Sequence, residues 1–191
     1  MNVQEIVDHK DDKAFVLKAV KENGKLLDFV SDSLKDDKEV VKTALKQDSE
    51  ALEFASDRLK NDKEIIMIGV KYAPWTICYA SEKLRADKEV ALESCKNYGQ
   101  ALYYVAEELR DDEEVVKAAI ENKGMIIKYA SDRLRDDKEM AMIAMKQDKQ
   151  AYHFLSWRLR QDKDINNLLW KILVLYEKSL YNRIEKVKKE K

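Results

Sequence analysis

Apolar residues along this chain fall in a fixed set of places that returns every 25 residues. Counted from residue 11, each unit carries them at its fifth, sixth, ninth and tenth places. In the second unit these are Val40, Val41, Ala44 and Leu45; in the fifth, Val115, Val116, Ala119 and Ile120. At about 100° per residue the four places span roughly 140° of a helical surface, the stripe of a helix with one buried face. The second place of every unit is Asp: Asp12, Asp37, Asp62, Asp87, Asp112, Asp137 and Asp162. Such an acceptor satisfies the free N–H groups of a first helical turn and suits the positive end of its dipole. Where the first place is also Asp, as in Asp36-Asp37-Lys38-Glu39, Asp36 and Glu39 offer a capping box instead. Gly24, Gly99 and Gly124 share a later place that suits a left-handed C-cap, and Pro74, which holds it in the third unit, stops the helix there.

A second helix is expected after this punctuation, on the pattern Ala51-Leu52-Glu53-Phe54-Ala55-Ser56-Asp57-Arg58-Leu59. An aromatic returns within it at Phe29, Phe54, Tyr79, Tyr104, Tyr129 and Phe154. Each unit therefore reads as two short helices of roughly three turns. Neither is stable alone at that length, so stacking must bury the stripes. Small residues mark close approaches: Ala19, Ala44, Gly69, Ser94, Ala119 and Ala144 on the first helix, and Ala55, Ala80 and Ala130 on the second. These two rows are expected to face each other. From Asp162 the chain runs without Gly or Pro, predicting one longer helix to about Val187 that closes the array. The fold class is all-α: an α-solenoid-like array of about seven 25-residue helical hairpins with a long C-terminal capping helix. Residues 1–191 form a single helical-repeat domain with units 11–35, 36–60, 61–85, 86–110, 111–135 and 136–160 and a C-terminal cap over 161–191.

Composition narrows the function classes. Charged residues make up 38% of the chain, yet the net charge is −1, so there is no global attraction to nucleic acid or to an acidic membrane. No stretch is apolar and long enough to span a bilayer. Met1-Asn2-Val3-Gln4-Glu5 lacks a basic start followed by an apolar run, so no signal peptide is expected there. Cys78 and Cys95, the two cysteines, stand where sibling units carry ordinary residues, so free thiols in a reducing compartment are expected.

The pattern Ala-x-x-Leu-[Lys/Arg]-x-Asp-Lys-Glu-Val-Val-x-x-Ala-[Ile/Leu], with an aromatic-Ala-Ser between copies, resembles the repeat called domain of unknown function 4116. The likeness is strongest at Phe54–Leu59 with Asp62–Glu64, and at Asp111–Ile120 with Tyr129–Glu139, and covers residues 11–164. It implies helical repeats found in bacterial proteins, some of them suspected of acting inside host cells, and it brings no catalytic residues. Departures are Tyr72-Ala73-Pro74-Trp75, Trp157 and the C-terminal helix.

The Asp row suits helix caps better than metal ligands, since each Asp begins a separate helix. Lys35, Lys60, Arg85, Arg110, Arg135 and Arg160, with Lys21, Lys46, Lys71, Lys96, Lys146 and Lys171, suit helix C-termini better than a phosphate track. Arg58, Lys83, Arg133 and Arg158 lie inside the second apolar stripe and are expected to link units through the Asp caps; Glu108 breaks the row. His9 and His153 belong to no recognisable metal or nucleophile constellation, and there is no phosphate-binding Gly loop. No catalytic residue, cofactor site or metal site is expected.

Repeated residues build a scaffold, so a partner is read from the departures. Tyr72, Trp75 and Tyr98 put large aromatics on one turn edge, and Trp157 stands where siblings have Asp or Glu. Trp157 is expected to be covered by the C-terminal helix. The expected function is a non-enzymatic protein–protein interaction scaffold, a bacterial effector or inhibitor, cytoplasmic or in a host cytosol, whose partner is an unidentified protein. Nucleic-acid binding along the Lys/Arg rows, or structural self-association through the C-terminal helix, are the alternatives.

Overall fold

A computed structural model of the chain describes residues 3–189, with side-chain surroundings through Lys178. Among these residues every regular element is helical. Six units open on an α-helix of ten residues: Lys13–Glu22, Lys38–Gln47, Lys63–Tyr72, Lys88–Asn97, Glu113–Asn122 and Lys138–Gln147. Each starts where the Asp pattern places it. Asp37 accepts from the N–H groups of Glu39 and Val40, and Asp62, Asp87, Asp112 and Asp162 repeat the arrangement. Asp37, and not Asp36, is therefore the cap. The stripe is buried as its spacing requires: Val40, Val41, Ala44 and Leu45 are inaccessible, as are Val115, Val116, Ala119 and Ile120. Each long helix packs on the one before and the one after it.

The second half of the unit is not the single three-turn helix expected. It is a 3-10 segment, such as Ser49–Phe54 or Gly124–Tyr129, and then an α turn of four residues, such as Asp57–Lys60 or Asp132–Arg135. The residues between, Ala55-Ser56 and Ala130-Ser131, are extended. A main-chain bond between units explains the break. Ser56 N–H donates to the carbonyl of Lys35 at 3.0 Å, Ser81 to Lys60 at 3.0 Å, Ala106 to Arg85 at 3.0 Å, Ser131 to Arg110 at 2.9 Å and Ser156 to Arg135 at 3.1 Å. An N–H has one partner, so it cannot also serve a continuous helix. The Ser hydroxyl then caps the new turn, accepting from Leu59, Leu84, Leu134 and Leu159. Ser31 makes no cap bond and Asp32–Lys35 is α all the same, whereas Glu107–Asp111, after Ala106, is 3-10.

The glycines also do something other than expected. No described residue has a positive φ, so Gly24, Gly99 and Gly124 are not left-handed caps. The first helices end instead on extended residues such as Asn23 and Asp48, whose side chains accept from the N–H two residues on. Glycine is needed for room. A Cβ on Gly124 would lie 2.1 Å from the Ala144 carbonyl oxygen, and one on Gly24 or Gly99 would lie 2.5 Å from that of Ala44 or Ala119. The small first-helix row thus meets this turn of the preceding unit. At Gly69 the nearest atoms belong to Leu52 and Thr76, and the Ala55 row expected to face it is not among them.

The last helix runs Lys163–Lys189, and its beginning completes the core through Ile165, Leu168, Leu169 and Ile172. Asn166 stands where siblings are apolar, and its Nδ2 donates to the Arg160 carbonyl at 3.0 Å, which Tyr152 Oη also reaches at 3.1 Å. Side chains thus occupy the carbonyl that a following Ser N–H would take. Trp170 is 69% exposed where its siblings are buried, and Leu175 and Tyr176 are exposed too. Among the residues whose side chains are described, closure of the core is the work of the helix's first turns.

Gly124→Ala should lower stability by about 1–3 kcal/mol in urea unfolding, because the obstructing atom is backbone. Gly69→Ala should cost less, since four sibling units carry Ala there and its close neighbours are side-chain atoms. Equal losses would contradict this account of the turn.

Candidate functional site

The two ends of the repeat have different chemistry. At the end where the long helices start, side chains tie each unit to its neighbour. Lys38 Nζ reaches Asp62 at 2.6 Å and Glu64 at 2.9 Å, and Lys13, Lys63, Lys88 and Lys138 make the same fork with the next unit. The cap Asp thus serves two backbone donors with one oxygen and a lysine with the other. Glu113 interrupts the row, and Arg133 takes up its carboxylate at 2.8 Å.

The arginines expected to link units through the Asp caps instead bind the residue before the cap of their own unit. Arg58 Nε donates to both carboxylate oxygens of Asp36 at 2.9 Å and its Nη2 to the Asp36 carbonyl at 2.6 Å. Arg158 does the same at Asp136, and Arg133 reaches the carboxylate and carbonyl of Asp111. Ser56, Ser131 and Ser156 donate their hydroxyls to those three carboxylates. The three places do not always change as one, since the first unit keeps Asp11 and Ser31 with Ser33 at the arginine's place. The third unit has Asn61, Ser81 and Lys83, with Ser81 still bonded to Asn61 at 2.8 Å; the fourth has Ala86, Ala106 and Glu108. Glu108 is therefore one part of a set that the fourth unit replaces as a whole.

These contacts set the titration of the carboxyls. The Ser56 hydroxyl, then Arg58, holds Asp36 below the usual carboxylate range, and Asp136 is held in the same way by Ser156 and Arg158. At Asp62, Asp87 and Asp112 burial pushes upward, but the lysine and the backbone N–H donors outweigh it and the net shift is down. Among the described residues no group of three or more His, Cys, Asp or Glu is placed to hold a metal. Burial pushes the Cys95 thiol up to about 12 and raises half-buried Cys78 as well, so both are protonated near neutrality. His9 lies against Phe15 and His153 against Tyr152.

The opposite end, where the long helices finish, carries the aromatics. Tyr72 is 65% exposed and Trp75 43% exposed, and both line a hollow of about 470 Å³ with Asp48 and Glu50. Trp75 meets Tyr98 edge-on at 6.3 Å. These three belong to one edge, as their spacing implied. Trp157 does not join them: it begins the Trp157–Arg160 turn at the capped end and is 73% exposed, uncovered by the C-terminal helix, whose first residues turn toward the core instead. Tyr103 was missed. Its ring lies 5.1 Å from both Tyr104 and Tyr129, and with Tyr98 these line a groove of about 330 Å³ between the fourth and fifth units. The signal was available, since siblings at that place are Asp28, Glu53, Cys78, Lys128 and His153.

Fold and surface define an all-α repeat protein whose charged end is committed to holding its own units together. The family comparison agrees: the chain belongs to the family described as domain of unknown function (DUF4116), matched over residues 12–60, 37–85, 62–110 and 112–160. Each match spans two consecutive units and so contains one inter-unit interface. No curated protein and no solved structure matches the chain.

The pKa shifts fix a pH window. The Asp carboxyls titrate lower folded than unfolded, so their stabilisation is complete above about pH 4 and is lost as pH falls through the folded values. Lys38, Lys63 and Lys88 are raised, by hydrogen bonds to their carboxylates foremost, so theirs is complete below about pH 10 and lost above it. The urea midpoint should be flat across neutrality and fall on both sides, less steeply in high salt. A midpoint that changes near pH 6–7 instead would contradict this assignment.

Proposed function

We propose that this protein is a non-enzymatic protein-binding scaffold that docks its partner on the aromatic edge formed by Tyr72, Trp75 and Tyr98. The observation that carries the reading is the contrast between the two ends of the repeat. At the capped end Lys38, Lys63, Lys88 and Lys138 are bonded to carboxylates of the next unit, and Arg58, Arg133 and Arg158 to carboxylates of their own. At the other end large rings stand exposed and touch one another across units. Tyr and Trp anchors of this kind contribute strongly to protein interfaces, because much apolar area is buried at little entropic cost. Nucleic-acid binding fits less well, since the net charge is −1 and Asp and Glu recur in every unit beside the basic rows. A role as a bacterial effector or inhibitor, in a bacterial cytoplasm or a host cytosol, is the biological setting this reading implies. Trp157, alone at the other end, is a subsidiary contact.

Affinity capture from cell lysate, comparing the natural chain with a Tyr72→Ala/Trp75→Ala variant, tests the edge. The variant should retain its helical circular dichroism and lose the captured proteins. Equal capture by both would place the docking surface elsewhere.

A further inference from the structure

The aromatic edge continues into the groove between the fourth and fifth units, and there the charges differ from the rest of the surface. Tyr98, Tyr103, Tyr104 and Tyr129 supply the rings. Tyr103 is 52% exposed although it touches two other rings, so a large apolar face remains open to a ligand. The charged side chains lining this groove are Lys123 and Lys128. Neither has a carboxylate within ion-pairing distance among the described residues, whereas each lysine of the capped end that forks to the next unit holds two. Lys128 lies instead over the rings of Tyr129 and Phe154, at 4.7 and 5.9 Å from their centroids. That position holds the cation at the groove wall and leaves it without a counter-charge.

The same face changes sign along the array. In the second unit the corresponding places are Asp48, Glu50 and Glu53; in the third and fourth they are Trp75, Cys78, Tyr98 and Tyr103; in the fifth they are Lys123 and Lys128. Glu50 pairs with Lys25 at 2.7 Å, and Glu53 accepts from Tyr79 Oη at 3.1 Å. The sixth unit has Asp148, Gln150 and His153 at these places, so it is over the second to fifth units that a ligand meets carboxylates, then rings, then uncompensated ammonium groups.

Resting on the protein-binding reading above, we infer that the groove takes an acidic peptide segment: an aromatic or large apolar side chain seated among Tyr98, Tyr103 and Tyr129, with Asp or Glu next to it over Lys123 and Lys128. The acidic flank lies over the fifth unit, because the second unit would repel it, so the segment binds in one direction. Two repeat steps of about 10 Å are spanned by roughly six extended residues at ~3.3 Å each, the length of a short linear motif. A nucleic-acid strand would stack on the same rings but needs a longer run of cations than two lysines provide.

A displayed library of random peptides, about 12 residues long, panned on the purified chain tests this, with the enriched peptides then measured by fluorescence anisotropy. Enriched peptides should carry an aromatic or large apolar residue beside two or more carboxylates. Tyr103→Ala and Lys123→Glu/Lys128→Glu should each weaken binding about tenfold or more, and changing the peptide's Asp and Glu to Lys should abolish it. All these positions are solvent-facing, and unchanged thermal unfolding of the variants verifies that their fold is intact. No enrichment, enrichment of basic or neutral peptides, or competition by single-stranded RNA in place of peptide binding would overturn the assignment. Peptides lost with Tyr72→Ala/Trp75→Ala but retained by both groove variants would overturn the groove alone and leave the scaffold reading standing.

Discussion

One main-chain hydrogen bond determines how this array is built. In each of the first six units the N–H at the place of Ser131 leaves its own helical ladder and donates to a carbonyl 21 residues earlier, as Ser131 does to Arg110 at 2.9 Å. The bond breaks what would be one helix into a 3-10 segment and an α turn. It also fixes the distance between successive units at a hydrogen bond's length, so the packing has one register. The side-chain contacts are arranged around it. Ser131 caps Leu134 and bonds Asp111, and Arg133 closes over the Asp111 carboxylate and carbonyl. In the fourth unit Ser, Asp and Arg become Ala106, Ala86 and Glu108, yet the Ala106 bond remains at 3.0 Å. The backbone bond is the constant and the side chains reinforce it.

Because the linkage uses main chain and the capped end, the surface at the other end is free to vary. The carboxylates and ammonium groups of the capped end hold each other between units, which is why their carboxyls titrate low and their lysines high. Exposed pairs contribute little singly, and repetition in register gives these their effect on the array. The opposite end makes fewer such demands, and there the sequence departs from its own pattern: Asn23, Asp48, Ala73, Tyr98, Lys123 and Asp148 occupy one place in six units. Aromatics collect in the third and fourth units, with carboxylates in the second and free lysines in the fifth.

Much of this was legible in the sequence, for reasons that differ between residues. Asp112 could be read because a cap acts within three residues of itself, and Val115 to Ile120 because a buried stripe has the period of its helix. Gly124 was misread: its constraint comes from the Ala144 carbonyl of the next unit, which no local pattern shows. The second helix was overestimated for the same reason, since the Ser131–Arg110 bond competes with it from another unit. Arg133 was expected to link units through the Asp caps, but it closes on Asp111 and Glu113 of its own unit, beside the cap rather than on it. At the candidate site, Tyr72, Trp75 and Tyr98 were found as departures from the repeat. Tyr103 was hidden by its neighbour Tyr104, which belongs to the regular aromatic row. Trp157 was expected under the final helix, but Asn166 and Ile165 turn that helix's beginning toward the Arg160 carbonyl and the core.

The main-chain bond can be removed almost alone. Ser131 has φ −56° and follows Ala130 at φ −68°, ψ 159°, a conformation that proline and its predecessor adopt without strain. Ser131→Pro deletes the N–H; Ser131→Ala keeps it and deletes only the hydroxyl. Urea unfolding of the two variants is the direct comparison. If the inter-unit bond holds the array, Ser131→Pro is less stable than Ser131→Ala by about 1–3 kcal/mol, the cost of leaving the Arg110 carbonyl without its donor. If packing alone sets the stack, proline's restriction of the unfolded chain makes Ser131→Pro as stable as Ser131→Ala or more so, and that result would contradict the account.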